Sequence, residues 1–202
     1  MSVRLKSPFL LRTVQPKPQD TIGRTVTGLR HIGKRIAIGF DNDIWLVFHL
    51  MITGRLHWKP VGAKIGVKSS LAAFDFPAGT LTLTEAGSKK RAAQHIVEGA
   101  AALNALDPGG IDALDCTLDT FRAALTTANH TVKRALTDPR IFSGTGNVYS
   151  DEIPHRARVS PIVQTLKMPE EAIAGCTAQR RRRWRTGPKN YAPKRATGFL
   201  KK

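Results

Sequence analysis

Between residues 25 and 84, apolar and polar positions alternate in short runs separated by turn residues, the period of half-buried strands. Runs at 25–30, 35–40, 44–50 and 55–58 read as strands, with Asp41-Asn42-Asp43 as a hairpin connection. A second hairpin spans 71–76 and 80–84 across Pro77-Ala78-Gly79. Together they predict an antiparallel β layer or sandwich whose pairings are mostly local. Residues 2–19 are basic and proline-punctuated and predict no firm element.

After Asp107-Pro108-Gly109-Gly110 the apolar period changes to that of a helix. Leu118, Phe121, Ala124 and Leu125 share one face, with Thr117 or Cys116 near the cap. A short helix is expected over 130–137, a turn-rich hinge over 138–146, and a second helix from Asn147. Gly144 and Gly146 are expected where the backbone needs positive φ or close approach to a ligand. Pro154 falls several residues inside that second helix, where it should cost about 3 kcal/mol. A further helix opens at Met168-Pro169-Glu170. Beyond it the apolar surface is too sparse to offset ordering, so the chain should be disordered. The predicted class is α+β: an antiparallel β-sandwich-like N-terminal domain over 1–109, a helical domain over 110–172, and a disordered basic tail over 173–202.

Charge narrows the choice of partner. The 202 residues carry a formal net charge of +17 with a pI of about 10.7. Ten lysines and arginines and no acid lie between residues 177 and 202, and removing them leaves the remainder at +7. Such a chain suits a polyanion, nucleic acid above all. No apolar run reaches the ~20 residues of a membrane-crossing helix, which excludes a membrane partner of that kind. Cys116 and Cys176 match no metal or redox spacing and suit a reduced, cytoplasmic setting.

Several basic positions are placed to meet phosphate. Lys89, Lys90 and Arg91 share one turn after a strand, and Lys59, Lys64 and Lys68 punctuate a Gly/Ser-containing loop expected to be mobile. Asn147 stands where free backbone N–H groups and the positive end of a helix dipole accept an anion. The run 180–185 with Trp184 adds a further cationic stretch able to stack on bases. No histidine pairs with a cysteine or carboxylate at ligand spacing, and no Ser-His-Asp or paired-carboxylate set is visible, so the six histidines read as structural.

Residues 129–161 carry a more specific pattern: Lys133, Asp138, Gly144, Gly146, Asn147, Tyr149 and Glu152 in fixed spacing. This set resembles the helix-two-turn-helix of the formamidopyrimidine-DNA glycosylase and endonuclease VIII family. Gly33-Lys34-Arg35 and the turn from His49 to Gly54 resemble that family's Lys-bearing strand and His-Leu-x-Met-x-Gly turn, so the resemblance spans roughly 23–161. It implies base-excision repair of oxidised purines by N-glycosylase and abasic-site lyase chemistry. It also implies double-stranded DNA, preferably damaged or abasic, as partner, a monomeric state, and a bacterial, nucleoid-associated location. By the same resemblance Lys34, Lys133, Gly146, Asn147 and Tyr149 belong to the DNA-binding set, Lys34 as a strand lysine beside the lesion. Met51 and Ile52 occupy the wedge turn that would fill the space of an everted base; otherwise they are buried turn residues.

The chain departs from the family pattern at both ends. Family members open with a proline whose secondary amine attacks the sugar, followed by glutamate; here Met1-Ser2-Val3 stands instead, so no catalytic residue is assigned. No Cys-x-x-Cys pair supplies the family's zinc finger, so no cofactor is expected. The family's Asp-Pro-Arg-Arg-Phe loop is replaced by residues 85–91. An out-of-frame reading of the last residues would account for the acid-free tail of a truncated gene product. The expected role is therefore the DNA-binding half of the family's task with chemistry impaired; the alternative is a non-enzymatic, nonspecific DNA-binding remnant.

Overall fold

The computed structural model describes residues 1–66, 68–113 and 115–186, with side chains as far as 179. The chain divides into two compact units between Leu106 and Asp107.

The first unit holds two four-stranded antiparallel sheets. One has the order β1 (Ser2–Leu5), β6 (Ser70–Phe76), β7 (Gly79–Glu85), β5 (Gly54–Lys59). In the other, β2 (Val26–Ile32), β3 (Arg35–Phe40), β4 (Ile44–His49) and β8 (Ala93–Glu98) lie side by side. Alternation along the strands sends Ile38, Phe40, Leu46, Phe48 and Ile96 inward against Ala72, Phe74, Leu81 and Leu83 of the other sheet. Phe48 and Phe74 meet edge to face at 5.1 Å. The opposite face of the β4 sheet is also apolar. Ala37, Val47 and Val97 are covered there by Leu103 of α1 (Gly99–Asn104).

Pairing is less local than expected. The strand β8 returns to β4 after three intervening strands in the other sheet, and β1 pairs with β6 from Ser2 opposite Asp75 to Leu5 opposite Ala72. That first strand was not foreseen, because its signal lies in a partner some seventy residues away. Arg4 fixes it, donating from Nε to Asp75 Oδ2 at 2.8 Å and from Nη2 to Asp75 Oδ1 at 2.7 Å. Ser2 and Thr80 hydroxyls also donate to Asp75, and these bonds hold its carboxyl down to about 2. Nor is the lysine-rich loop after β5 loose: Gly62 N donates to Thr80 Oγ1 at 3.1 Å and Arg4 to the Ala63 carbonyl at 2.8 Å.

The second unit contains α2 (Leu118–Leu125), α3 (Val132–Thr137), α4 (Asn147–Arg156) and α5 (Glu170–Thr186). A two-residue parallel bridge joins β9 (Ile111–Asp112) to β10 (Phe142–Ser143). Phe121, Leu125, Val132, Leu136, Phe142 and Ile153 form its core, with Phe121 and Phe142 ring centroids 4.7 Å apart. The stretch after residue 173 does not begin as irregular chain. Ile173, Cys176 and Thr177 recur at i, i+3 and i+4 and are buried, so packing stabilises a helix that composition alone disfavours. Residues 187–202 lie outside the described residues.

Pro154 leaves α4 intact. It stands in the last turn, buried beside Ile153, and the helix ends two residues later. It has no N–H to offer the Ser150 carbonyl, so one bond of the ladder before it is missing, yet the helix continues past it to Arg156.

Candidate nucleic-acid interface

In the second unit α3 begins at Val132, two residues later than the spacing predicts. Thr131 caps it by accepting from Arg134 N at 3.3 Å, while His130 N is taken by Thr165 Oγ1 at 3.2 Å, outside the helix. After α3 the chain is turned by Asp138. Its carboxylate accepts from Arg140 N at 2.9 Å, Arg140 Nε at 3.0 Å and Arg140 Nη2 at 2.7 Å, and this bonding holds the carboxyl down to about 2. Gly144 then adopts φ +81°, the left-handed region that favours glycine. Gly146 does not: its φ of −117° is ordinary extended backbone, and it serves as the N-cap of α4.

A glycine cap has no side chain to accept from the first turn of α4. No side chain therefore caps the start of this ten-residue helix, where Asn147 and Val148 are exposed and Tyr149 is half-buried. Lys133 projects from α3 and pairs with Asp151 of α4 at 2.6 Å, both side chains about half exposed. Lys133, Gly146, Asn147 and Tyr149 thus belong to one helix-loop-helix.

In the first unit, the turn between β4 and β5 is built by a close backbone approach. Gly54 N donates to the Leu50 carbonyl at 2.9 Å, and a Cβ on Gly54 would stand 2.2 Å from that oxygen. Arg55 braces the turn by donating to the carbonyls of Ile52 at 3.2 Å and Gly54 at 2.7 Å. Met51 is held at φ +54°, a region that costs a side-chain-bearing residue roughly 1–2 kcal/mol. Neither Met51 nor Ile52 is a buried turn residue: they are 43% and 70% exposed. Two apolar side chains stand in water at a strained tip.

The loop after β7 contains Lys89, Lys90 and Arg91, but not as three equivalent cations. Lys90 Nζ folds back to donate to the carbonyls of Glu85 and Gly87, the latter at 2.8 Å, so it organises the loop. All three residues are exposed, and among the described residues only Lys90 has a side-chain bond to the loop's own carbonyls.

Lys34 lies in the turn between β2 and β3 rather than on a strand, after Gly33 at φ +57°. Its surroundings lower its pKa by desolvation. Register brings further basic groups near it: Arg35 is opposite His49, and His95 is diagonal to His49 across β4 and β8. Burial lowers the pKa of His49, with Arg35, Lys34 and His95 adding repulsion; burial lowers that of His95, with Arg35 and Arg12 adding theirs. Arg35 Nη1 donates to the Leu106 carbonyl at 2.9 Å, while Arg35 Nε and His95 Nδ1 are buried without a partner among the described residues. This concentration of positive charge was not anticipated. The hairpin centred on Asn42 contained the signal, since a register that closes on Gly39 and Trp45 must put Arg35 opposite His49.

The Cys176 thiol is pushed up to about 11 by burial, and Cys116 leans on the Ala113 carbonyl at 3.9 Å. The cation run at 180–185 lies in the part of α5 whose side chains are outside the described residues.

Residues 2–96 match the family model of the formamidopyrimidine-DNA glycosylase N-terminal domain. Over that span the chain is similar to the formamidopyrimidine-DNA glycosylase family. It is 29% identical over 157 residues to the formamidopyrimidine-DNA glycosylase of Moorella thermoacetica, covering 75% of this chain and 56% of that one. To the enzyme of that name from Sphingopyxis alaskensis it is 30% identical over 169 residues, covering 77% and 58%. The chain therefore spans about half the length of the curated relatives it matches. The fold is that of the Lactococcus lactis formamidopyrimidine-DNA glycosylase solved noncovalently bound to DNA containing an abasic site, with a TM-score of 0.78, 22% identity, and 90% of this chain and 70% of that one covered. The Thermus thermophilus protein of the family matches at a TM-score of 0.74 with 22% identity, covering 90% and 65%.

Proposed function

We propose that this chain is a base-excision repair protein of the formamidopyrimidine-DNA glycosylase family that binds double-stranded DNA at damaged or abasic positions, as a monomer on bacterial chromosomal DNA. The observation that carries the reading is the start of α4. Gly146 caps the helix without a side chain to accept from its first turn, beside the exposed Asn147 and at the end of a loop turned by Gly144. That geometry suits a phosphate oxygen, and Lys133 supplies charge next to it.

Lys34 with the adjacent Arg35 and His49 forms a second place for a phosphate, on the first unit. Lys89 and Arg91 are exposed cations for the backbone of the duplex, and Lys90, also exposed, holds the loop that carries them. Met51 and Ile52 are the wedge: exposed apolar side chains on a rigid turn can fill the stack where a base is missing, which intact duplex does not permit at the same cost. All of these residues bind and position, and no catalytic residue is assigned among them.

The test compares affinity for a duplex carrying a tetrahydrofuran abasic analogue with affinity for intact duplex, by fluorescence anisotropy at two salt concentrations. A tenfold or greater preference for the abasic duplex is expected. Equal affinities with a steep salt dependence would replace this reading with nonspecific DNA binding. Borohydride trapping on a natural abasic site measures any residual lyase chemistry.

A further inference from the structure

Glu85 is the last residue of β7, and its side chain is buried although it carries a carboxylate. Among the described residues no basic side chain is bonded to that carboxylate; Lys90 turns to main-chain carbonyls instead. What satisfies it are backbone donors. Arg91 N reaches Oε1 at 3.0 Å and Oε2 at 2.9 Å, and Ala92 N reaches Oε2 at 3.1 Å. One further donor comes from a different loop: Thr53 Oγ1, in the turn that carries Met51 and Ile52, lies 3.5 Å from Oε1.

The two loops abut at several points. Gly54 is the cross-strand partner of Glu85, so the wedge turn leaves β5 at the place where the basic loop leaves β7. Gly87 lies so close that a Cβ on it would be 3.2 Å from Thr53 Oγ1. Each loop is braced separately on its outer side, by Arg55 under Ile52 and by Lys90 under Gly87. The acidic side chain between them is common to both.

Resting on the DNA-binding reading above, we propose that Glu85 is a positioning residue whose buried carboxylate joins the Met51–Ile52 turn and the Lys89–Arg91 loop into a single rigid element. The apolar wedge and its flanking cations then engage a duplex in one fixed relation, and the wedge is not free to swing away from the backbone that Lys89 and Arg91 hold. A buried charge satisfied mostly by main-chain donors is well suited to this, because backbone amides cannot reorient without moving the loop itself.

Glu85→Gln in the full chain tests this. The amide keeps the shape but presents an NH2 toward a donor it previously accepted from. Hydrogen exchange, which needs no DNA, is read on the peptides covering 50–56 and 86–92, with the exchange of 35–48, in the other sheet of the same unit, as the control for folding. Accelerated exchange of at least tenfold in both peptides is expected. Acceleration confined to 86–92 would mean that Glu85 caps only its own loop and would overturn the proposal. Thr53→Val, which removes only the bridging hydroxyl, is expected to accelerate both peptides to a smaller extent; no change in 86–92 would also count against it.

A double-mutant comparison of Ile52→Ala and Lys89→Ala on the abasic duplex gives the functional arm. Their effects should depart from additivity by at least threefold in the native background and become additive beside Glu85→Gln. Additivity in the native background overturns the coupling. A native chain that binds abasic and intact duplex alike instead overturns the lesion reading of the preceding subsection, and the exchange experiment still decides Glu85 by itself.

Discussion

The two units present their candidate DNA contacts by different physical means. In the second unit the contact is main chain: a helix start with a glycine cap, reached through a loop that Asp138 and Gly144 turn. In the first unit the contacts are side chains carried on turns, whose positions follow from strand register and from Gly54, Arg55 and Glu85. The helical contact is made by residues close together in sequence. The sheet contact exists only once β5 and β7 have paired.

The largest effects should come from filling the two closest backbone approaches. A Cβ on Gly54 would stand 2.2 Å from Leu50 O, and one on Gly110 would stand 2.3 Å from Pro139 O. Gly54→Ala should destabilise the first unit, and Gly110→Ala the second, each by roughly 3 kcal/mol, read as a fall in Tm by calorimetry. If the units are as independent as the two cores suggest, each variant shifts one transition and leaves the other in place.

Acid should act on both units alike. Asp75 and Asp138 are each held down to about 2 in the folded chain, against about 3.9 for an unfolded aspartate. A depressed carboxyl stabilises the fold above the unfolded value, and that contribution disappears as pH falls from about 4 through about 2. Asp75→Asn or Asp138→Asn should remove roughly 1–2 kcal/mol at pH 7, discounted for the exposure of the arginine partners, and should flatten the acid limb of the stability curve.

The DNA contacts separate the units further. Asn147→Ala should weaken binding about tenfold through loss of a charge-assisted hydrogen bond. Lys89→Ala should weaken it less and lower the slope of log affinity against log salt by about one. Lys90→Ala should act mainly on loop order, since Lys90 is engaged with Glu85 and Gly87 carbonyls. The smallest effect is expected from Thr131→Ala, which removes the cap of α3 at a cost of about 1 kcal/mol by thermal melting.

Much of the second unit was legible in the chain itself. Turn residues at 138–146 and the start of α4 at Asn147 are local signals, and the structure places them as the spacing implies. The same holds for the middle strands of the sandwich, whose alternation has the period of a sheet. Where prediction and structure part, the missing information lay elsewhere in the chain. Ser2–Leu5 becomes a strand because Asp75 and β6 receive it. Thr165 takes the amide of His130 and so delays the start of α3. Ile173 and Cys176 make a helix of an arginine-rich stretch because a core is waiting for them.

By itself, then, the sequence determined the strong positive charge, the order of strands before helices, the helix-loop-helix around Asn147 and the family it resembles, since each rests on residue type and short-range spacing. Tertiary structure alone decided that Lys90 bonds back to its own loop, that Met51 and Ile52 are exposed, that Arg35 and His49 face each other across two strands, and that Glu85 lies between two loops. Those outcomes depend on burial and on pairing between distant segments, and the free energy of either is set by a partner that no local pattern names.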